Sequence, residues 1–317
     1  MIFFRIKRGG RRAARTVPAA LAVILALALF AAPAMPAYAA PADAAAAEEP
    51  DADIEADELV VTSTDTSPAD VPAVLTPWDC EAAQCRAALL VDETNNHTIL
   101  YEKNAHDSIP PASTTKMLTA LLTVEAIERG ELTLDEELQA DAPILSSVIY
   151  DASHVHPRIK IDEKLSVEDY LYCVMIESDC VCCNILGRRV SGSVEAFVNL
   201  MNARAAELGC EETHFVNTHG YPAEGHRTTA WSLYLIAREA MRHDIFRKIV
   251  STNQYTIQPT KAYPKERHLK NTNWLLGMPE KTDIKYDADY TFADCVGIKT
   301  GYSSEAGSCL VSQRHII

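Results

Sequence analysis

A long apolar helix that follows two prolines is the feature that most constrains this fold. Pro110 and Pro111 keep the residues before them out of the α region, so the helix can begin only after them. The segment 117–127 is then apolar on most of its circumference. Its large apolar side chains are Met117, Leu118, Leu121, Leu122, Val124 and Ile127. Such a helix is buried on several sides, so we expect the rest of the domain to surround it.

The start of this helix carries a hydroxyl and an amine that can react together. Ser113 and Lys116 are three residues apart, so their side chains share one face of the helix. Burial and the positive end of the helix dipole favour a neutral amine, which can accept the proton of a serine nucleophile. A Ser-x-x-Lys sequence is common by chance, however, and taken alone it more often marks an N-cap beside a surface lysine.

The N-terminal residues 1–39 have the pattern of an export signal. Six basic residues precede an uncharged apolar run over about 17–32, and Ala37-Tyr38-Ala39 supplies the small residues that a signal peptidase requires. An uncleaved anchor is disfavoured because a membrane span needs about 20 apolar residues. Residues 40–78 are rich in Ala, Pro and acidic residues, so we predict a disordered linker there. The folded domain is then 79–317.

The charge of the chain excludes one class of partner. The full chain has 29 basic and 44 acidic residues, a net charge of −15. Without the six basic residues of the leader, 23 face the same 44, which leaves −21. Such a protein has no electrostatic surface for nucleic acid and is repelled by anionic membranes. We therefore predict an exported, extracytoplasmic protein that binds no nucleic acid and has no membrane anchor within this chain.

Nine cysteines are an odd number for an exported protein. Cys173, Cys180, Cys182 and Cys183 fall in one helical region, without the second Cys-x-x-Cys or the His pair that a zinc site requires. Buried free thiols are the preferred interpretation, since free cysteine packs as a small hydrophobic residue. Cys80 and Cys85 either close a small disulfide loop or stay free.

The order of the remaining patterns predicts an α+β fold. Two apolar runs at 87–92 and 98–101 flank an Asn-rich connection, which is typical of a β-hairpin. Helical patterns fill much of 166–250, beginning at a capping box on Ser166. Strand patterns return at 255–257, 295–301 and 308–311. We therefore expect an antiparallel sheet packed by helices, plus a helical subdomain.

Three motifs together resemble a known family. Ser113-Thr114-Thr115-Lys116, then Ser178 between two helices, then Lys299-Thr300-Gly301 on a late strand follow the order of the penicillin-recognising serine enzymes. Over about 87–311 the chain resembles one branch, the D-alanyl-D-alanine carboxypeptidases or low-molecular-mass penicillin-binding proteins. The matching text includes Leu100–Ala105, Pro110–Lys116, Thr213–Asn217 and Gly297–Gly307. The resemblance implies a fold similar to the β-lactamases and transpeptidases.

The resemblance also implies a reaction. Ser113 would attack the terminal D-Ala-D-Ala peptide bond of peptidoglycan stem peptides and form an acyl-ester, with Lys116 as the base. Ser178 would relay a proton to the leaving D-alanine. Water would then release the shortened peptide, and β-lactam antibiotics would acylate the same serine. No metal or organic cofactor is implied.

The late strand would bind the substrate. Lys299 and Thr300 would hold the terminal carboxylate, and Gly301 would let the peptide lie along the strand edge. The backbone N–H groups of Ser113 and Tyr302 would form the oxyanion hole. The resemblance places His214, His219 and His226 in a structural loop rather than in a metal site.

Two departures from the family pattern affect these expectations. The middle motif is Ser178-Asp179-Cys180, which lacks the family's amide, and Asn184 lies four residues further on. A thiol cannot donate and accept as an amide does, so we expect reduced or altered activity. The family continues past Val311 with a strand and a helix, so 314–317 is expected to be a truncated or frame-shifted end. Two alternatives remain: a non-catalytic binder of cell-wall peptide, and a serine β-lactamase, although no Glu-bearing deacylation motif is present.

Overall fold

The fold is known from a computed structural model, which describes residues 3–8, 85–277, 291 and 294–316. The predicted linker and Cys80 lie outside these residues, as does the predicted leader except for Phe3–Arg8. In the part of the chain that is described, strands flank a central run of helices, as the sequence predicted. The strands are β1 (Phe3–Arg8), β2 (Ala88–Asp92), β3 (Thr98–Lys103), β4 (Glu137–Gln139), β5 (Lys164–Ser166), β6 (Gln254–Ile257), β7 (Arg267–Lys270), β8 (Cys295–Ser303) and β9 (Gly307–Ile316).

The main sheet has five strands in the order β3-β2-β1-β9-β8. The predicted hairpin is confirmed, because β2 and β3 pair antiparallel from Ala88↔Lys103 to Asp92↔Thr98. The two late strands β8 and β9 also pair antiparallel, with Gly301 opposite Cys309. Among the strands that the structure describes, β8 is therefore an edge of the sheet, and its outer side is available for pairing.

Strand β1 is the element that the sequence analysis did not anticipate. It pairs parallel with both β2 and β9 and so separates the two antiparallel ladders. The sequence analysis assigned Phe3–Arg8 to the basic start of an export leader. The letters Phe4-Arg5-Ile6-Lys7 nevertheless alternate apolar and basic, which is the period of a strand.

Seven α-helices lie between the strands in the described part of the chain. A 3₁₀ turn, Ala112–Thr115, leads directly into the first of them. The helices are α1 (Lys116–Glu128), α2 (Ala142–Leu145), α3 (Val167–Met175), α4 (Cys180–Ser191), α5 (Val194–Glu207), α6 (Ala230–Ala240) and α7 (Asp244–Val250). None of the helices that the structure describes combines the length and the apolar character needed to cross a bilayer.

Helix α1 is the centre of the core, as its apolar circumference predicted. Met117, Leu118 and Leu121 are fully buried, and α1 contacts α3, α4, α5, α6 and α7. Its two internal threonines are also buried: the hydroxyl of Thr123 donates to a backbone carbonyl of the same helix, and that of Thr119 donates to the carbonyl of Thr218. Because α1 is enclosed on all sides, its first turn is held in a fixed position relative to the sheet.

The capping box on Ser166 is confirmed. Ser166 Oγ accepts from the Asp169 N–H at 3.0 Å, and Asp169 Oδ2 accepts from the Ser166 N–H at 3.2 Å. Helix α3 then ends at Met175, and α4 begins at Cys180, so the two helices are joined by a tight turn that contains Ser178.

The strand pattern predicted at 255–257 is confirmed as β6, which pairs with β7. Sequence patterns missed β7, the paired strands β4 and β5, and the end of one longer strand, because the short strands have three or four residues and little alternation. Strand β9 extends to Ile316, whereas the apolar pattern ends at Val311. Ser312 and Gln313 are buried polar residues, so an apolar pattern could not mark the rest of this strand.

Candidate active site

The nucleophile and base predicted from the sequence are in contact. Ser113 lies in the 3₁₀ turn and Lys116 is the first residue of α1, and Lys116 Nζ lies 3.0 Å from Ser113 Oγ. Lys116 is fully buried, while Ser113 is partly exposed. The lysine is therefore not a surface residue, and Ser113 is not a side-chain N-cap, since the N-cap of α1 is Thr115 without a side-chain bond. The hydroxyl is accessible and the amine behind it is not.

Two further atoms fix the position of the Lys116 amine. Nζ donates to the backbone carbonyl of His219 at 2.6 Å and lies 3.4 Å from Cys180 Sγ. The carbonyl is a strong acceptor and the sulfur is a weak one. Cys180 is itself buried at the start of α4, so the thiol faces the amine directly.

The turn before α4 positions Cys180 and Ser178. Asp179 caps α4 by accepting from the Cys182 N–H at 2.8 Å, and its other oxygen accepts from the Val155 N–H at 2.8 Å. Ser178 has a φ of +64°, which is sparsely populated for a residue with a side chain. Ser178 is only 8% exposed, and it lies two residues before Cys180, whose thiol contacts Lys116.

The amide of Asn184 does not replace the one missing at Cys180. Its Nδ2 donates to Ser147 Oγ at 2.9 Å, and its Oδ1 accepts from Thr218 Oγ at 2.6 Å. Thr218 precedes His219, whose carbonyl bonds Lys116. Asn184 therefore holds the loop behind the amine rather than the amine itself.

Strand β8 lies against the turn that carries Ser113. A Cβ on Gly301 would lie 3.0 Å from the Ser113 nitrogen and 3.2 Å from the Thr114 nitrogen. Gly301 was expected to make room for substrate along the strand. Its missing Cβ also lets the strand pack closely against Ser113.

Gly220 supports the same turn from another direction, and sequence reasoning missed it. Its φ is +89°, and a Cβ there would lie 1.8 Å from the carbonyl oxygen of Ala112. Only glycine satisfies both conditions. The available signal was the position of Gly220 in a loop rich in glycine and histidine, which does not reveal a contact with residue 112.

Lys299 adds a second buried amine to the site. It is 1% exposed on β8, and its Nζ donates to the Thr300 carbonyl at 2.9 Å. Burial, together with repulsion from Lys116, lowers the pKa of Lys299 to about 7. Its charge therefore depends on pH close to neutrality, and a bound anion would favour the protonated form.

The outer residues of the strand remain open. Thr300 is partly exposed, and its hydroxyl lies 2.5 Å from that of Thr272, a residue that sequence reasoning did not select. Tyr302 is 74% exposed. Lys299 and Gly301 thus lie against the interior of the site, while Thr300 and Tyr302 lie at its mouth.

The loop histidines make structural bonds. His226 Nδ1 accepts from the Val216 N–H at 3.0 Å, so the proton is on Nε2, which lies 3.0 Å from Thr115 Oγ. Burial lowers the pKa of His226 to about 4 and that of His219 to about 3, so both are neutral at pH 7. Neutral rings beside Lys116 add no positive charge to the site.

The cysteines are free where the structure describes them. Cys173, Cys180, Cys182 and Cys183 are unpaired and buried, which confirms the preferred interpretation, and Cys85 is also free. Burial raises the pKa of Cys173 and Cys182, so these two thiols stay protonated.

The chain is similar in sequence to one family of known proteins. The family model of the D-alanyl-D-alanine carboxypeptidases matches residues 74–316. The chain is 30% identical over 231 residues to D-alanyl-D-alanine carboxypeptidase DacF of Bacillus subtilis, covering 73% of this chain and 54% of that protein. It is 29% identical over 224 residues to a D-alanyl-D-alanine carboxypeptidase of Streptomyces sp. strain K15, covering 68% and 71%. The chain thus spans about half the length of the Bacillus relative.

Solved structures of two named relatives also match the fold of this chain. The crystal structure of the Streptomyces K15 DD-transpeptidase matches with a TM-score of 0.58 at 30% identity, over 68% of this chain and 79% of that one. Penicillin binding protein 5 of Haemophilus influenzae matches with a TM-score of 0.58 at 25% identity, over 68% and 57%. These structures have the predicted α+β fold.

Proposed function

The chain belongs to the D-alanyl-D-alanine carboxypeptidase family of serine peptidases, and from this we propose that it removes the terminal D-alanine from peptidoglycan stem peptides. The observation that carries the proposal is the 3.0 Å contact between Ser113 Oγ and the buried Lys116 Nζ, beside the edge strand β8. The substrate class comes from the family. The roles of the residues also come from the family, and the contact of Ser113 with Lys116 supports the first two of them.

The first step is acylation. With its hydrogens donated to the His219 carbonyl and towards Cys180, a neutral Lys116 has its lone pair free to accept the Ser113 proton. The Ser113 oxygen attacks the carbonyl carbon of the penultimate D-alanine, and the peptide C–N bond breaks.

The developing oxyanion needs donors. We assign this role to the N–H groups of Ser113 and Tyr302, each worth about 3 kcal/mol in a typical site. Gly301 supports the assignment, because its missing Cβ lets β8 lie against the Ser113 nitrogen. The substrate would bind as an added strand along the edge of β8 that pairs with no strand in the described part of the chain.

The leaving D-alanine carries a carboxylate and needs a proton on its amine. Lys299 in its charged form and the Thr300 hydroxyl would bind the carboxylate, with the Thr272 hydroxyl next to Thr300. Ser178 would pass the proton that Lys116 removed to the departing amine. Water then hydrolyses the ester on Ser113, which restores the hydroxyl and frees the shortened peptide.

The test uses the full chain and two compounds. After incubation with benzylpenicillin, mass spectrometry should find one long-lived penicilloyl group on the peptide that contains Ser113, and none in Ser113→Ala. A peptide ending in L-Lys-D-Ala-D-Ala should lose one D-alanine. A folded protein that forms no adduct would refute the proposal.

Other outcomes identify the alternatives. Rapid hydrolysis of penicillin without a lasting adduct would show a β-lactamase, and an adduct without D-alanine release would show a binder of wall peptides. The solved Streptomyces K15 structure is named a DD-transpeptidase, so the assay should also include an amino-acid acceptor. Transfer to that acceptor in preference to water would replace hydrolysis as the second half of the reaction.

The location follows from the substrate. Peptidoglycan lies outside the cytoplasmic membrane, and residues 1–39 have the pattern of an export signal. We therefore place the protein in the cell envelope. N-terminal sequencing of protein from the envelope fraction should give a start near residue 40, and an intact Met1 on a cytoplasmic protein would contradict this placement.

A further inference from the structure

A second cluster of reactive side chains lies at the end of α1 opposite to Lys116. Glu125 is in the last turn of α1, Glu239 is in the last turn of α6, and His243 is the N-cap of α7. One ligand atom from each lies within 4.8 Å of the other two. Lys116 and Glu125 are nine residues apart on one helix, about 13 Å along its axis. The cluster is therefore separate from the active site.

The imidazole of His243 has one nitrogen beside a carboxylate and the other without a hydrogen-bond partner. Its Nδ1 lies 2.8 Å from Glu128 Oε2, so the neutral ring carries its proton on Nδ1 and donates it to this carboxylate. Its Nε2 then has a lone pair, and this atom is buried with no hydrogen-bond partner. Metal-binding histidines typically have this arrangement, with the far nitrogen held by a carboxylate. A buried polar atom with no partner needs an explanation, and a cation would supply one.

Arginines contact both carboxylates, but not equally closely. Arg204 donates to a single oxygen of Glu125, Oε1, from Nε at 3.0 Å and from Nη2 at 2.7 Å. Its contact with Glu239 Oε1 is longer, 3.4 Å, and Glu239 Oε2 accepts at 3.1 Å from Arg242, whose side chain is 71% exposed. The side chains of Glu125 and Glu239 are 13% and 22% exposed, so water gives them limited compensation.

The local charge also favours a cation. Four carboxylates meet here and face two guanidinium groups, which leaves a net charge of −2 from these six side chains. The carboxylates are Glu125, Glu128, Glu207 and Glu239, and the guanidinium groups are Arg204 and Arg242. A divalent ion would neutralise this charge without displacing Arg204 from Glu207, which it contacts at 3.1 Å.

We propose that Glu125, Glu239 and His243 bind a divalent transition-metal ion of the zinc class, with Glu128 positioning the imidazole. One nitrogen and two carboxylate oxygens form a ligand set that zinc accepts, with water in the fourth position. Bonds of about 2.0–2.2 Å require the ligand atoms to move together by roughly 1 Å, which rotation of the Glu side chains allows. The ion would join α1, α6 and α7 and stabilise the fold, with no part in the reaction at Ser113.

Zinc binding to the full chain, reduced and freed of metal, tests the proposal. Calorimetric titration with zinc should show one site per chain with a micromolar or lower Kd. His243→Ala and Glu239→Gln should each weaken binding at least tenfold, and Glu128→Gln should weaken it by about tenfold, as loss of an orienting carboxylate typically does. His268→Ala is the matched control, because His268 also lies beside a carboxylate, 3.6 Å from Glu266, but on the surface.

A cobalt spectrum separates this site from the cysteines. Cobalt bound at the proposed site should give d–d bands without a thiolate charge-transfer band. At a zinc concentration of about 100 times Kd, the melting temperature should rise by about 5 °C in the wild type and stay unchanged in His243→Ala. The proposal is wrong if no saturable site exists, if a thiolate band appears, or if Glu239→Gln and His243→Ala, shown to be folded by circular dichroism, bind zinc as the wild type does.

Discussion

Lys116 Nζ lies 3.4 Å from Cys180 Sγ, so a buried thiol contacts the amine where the family motif has an amide. A thiol is a weak donor and a weak acceptor, whereas an amide does both well. The other partner of Nζ, the His219 carbonyl at 2.6 Å, only accepts. The amine is thus held firmly by the carbonyl and weakly by the thiol. The weak contact is at Cys180, the residue for which the sequence predicted reduced or altered activity.

Restoring the amide should raise activity. In Cys180→Asn the amide oxygen accepts from Lys116 and the amide nitrogen can donate to the substrate, so release of D-alanine should increase about tenfold, the value of one good hydrogen bond. Cys180→Ala is the control, since it removes the thiol without adding an amide and should give no gain. Activity in Cys180→Asn no higher than in Cys180→Ala would show that the thiol does not limit turnover.

Gly220→Ala should disable the nucleophile. The new Cβ would lie 1.8 Å from the Ala112 carbonyl oxygen, so the turn that carries Ser113 must move. A displacement of about 1 Å in an active site can cost about 100-fold, and we expect a loss of that size in the rate of penicillin acylation.

Gly225→Ala separates this effect from backbone strain. Gly225 has a φ of +78°, similar to the +89° of Gly220, but its Cβ would have no neighbour closer than 3.9 Å. The control should lose about 1 kcal/mol of stability from the left-handed backbone and acylate at nearly the normal rate. Equal loss of acylation in both variants would exclude the proposed contact as the cause.

The sequence predicted the elements of the site better than it predicted their support. Ser113 and Lys116 were found because they are three residues apart where a 3₁₀ turn runs into α1, and so short a helical spacing determines contact. Two supporting contacts come from a loop that is about 100 residues away in sequence. They are the bond from Lys116 to the His219 carbonyl and the close approach of Gly220 to Ala112. Periodicity has no information on such long-range contacts. Strand β1 was missed for a different, local reason. Its alternation is short and lies among basic residues, which are also typical of an export leader.

A buried ion pair gives a prediction on stability. Arg267 donates to both oxygens of Glu163 at 2.7 Å each, and both side chains are fully buried. Arg267→Met would leave an unpaired buried carboxylate and should lower the free energy of unfolding by about 3–5 kcal/mol in urea denaturation. Adding Glu163→Leu should recover much of the loss.

The surface pair of Lys248 and Glu168 is the control for this prediction. Its Nζ–Oε1 distance is 2.8 Å, but the lysine side chain is 65% exposed. Lys248→Met should change stability by less than about 1 kcal/mol, as exposed pairs do. A loss in Arg267→Met no larger than this would mean that the carboxylate becomes hydrated or protonated at little cost.

Lys299 should make stability depend on pH. Its pKa in the folded protein is about 7, below the ordinary value of 10.5. Between these values the unfolded chain holds a proton that the folded chain has lost, so the contribution of Lys299 to the free energy of unfolding rises with pH across this window. Below pH 7 both states are protonated and the cost of burying the charge is complete. Lys299→Met should remove this part of the slope.

The same titration should limit activity from the alkaline side. In the proposed mechanism the charged form of Lys299 binds the substrate carboxylate, so kcat/KM should fall as pH rises above about 7, approaching tenfold per pH unit. Because kcat/KM reports the free enzyme, the limb should lie near the pKa of the empty site. An arginine cannot lose its charge in this range, so Lys299→Arg should lose the alkaline limb near 7 even if its KM is higher. An unchanged limb in Lys299→Arg would assign the titration to another group.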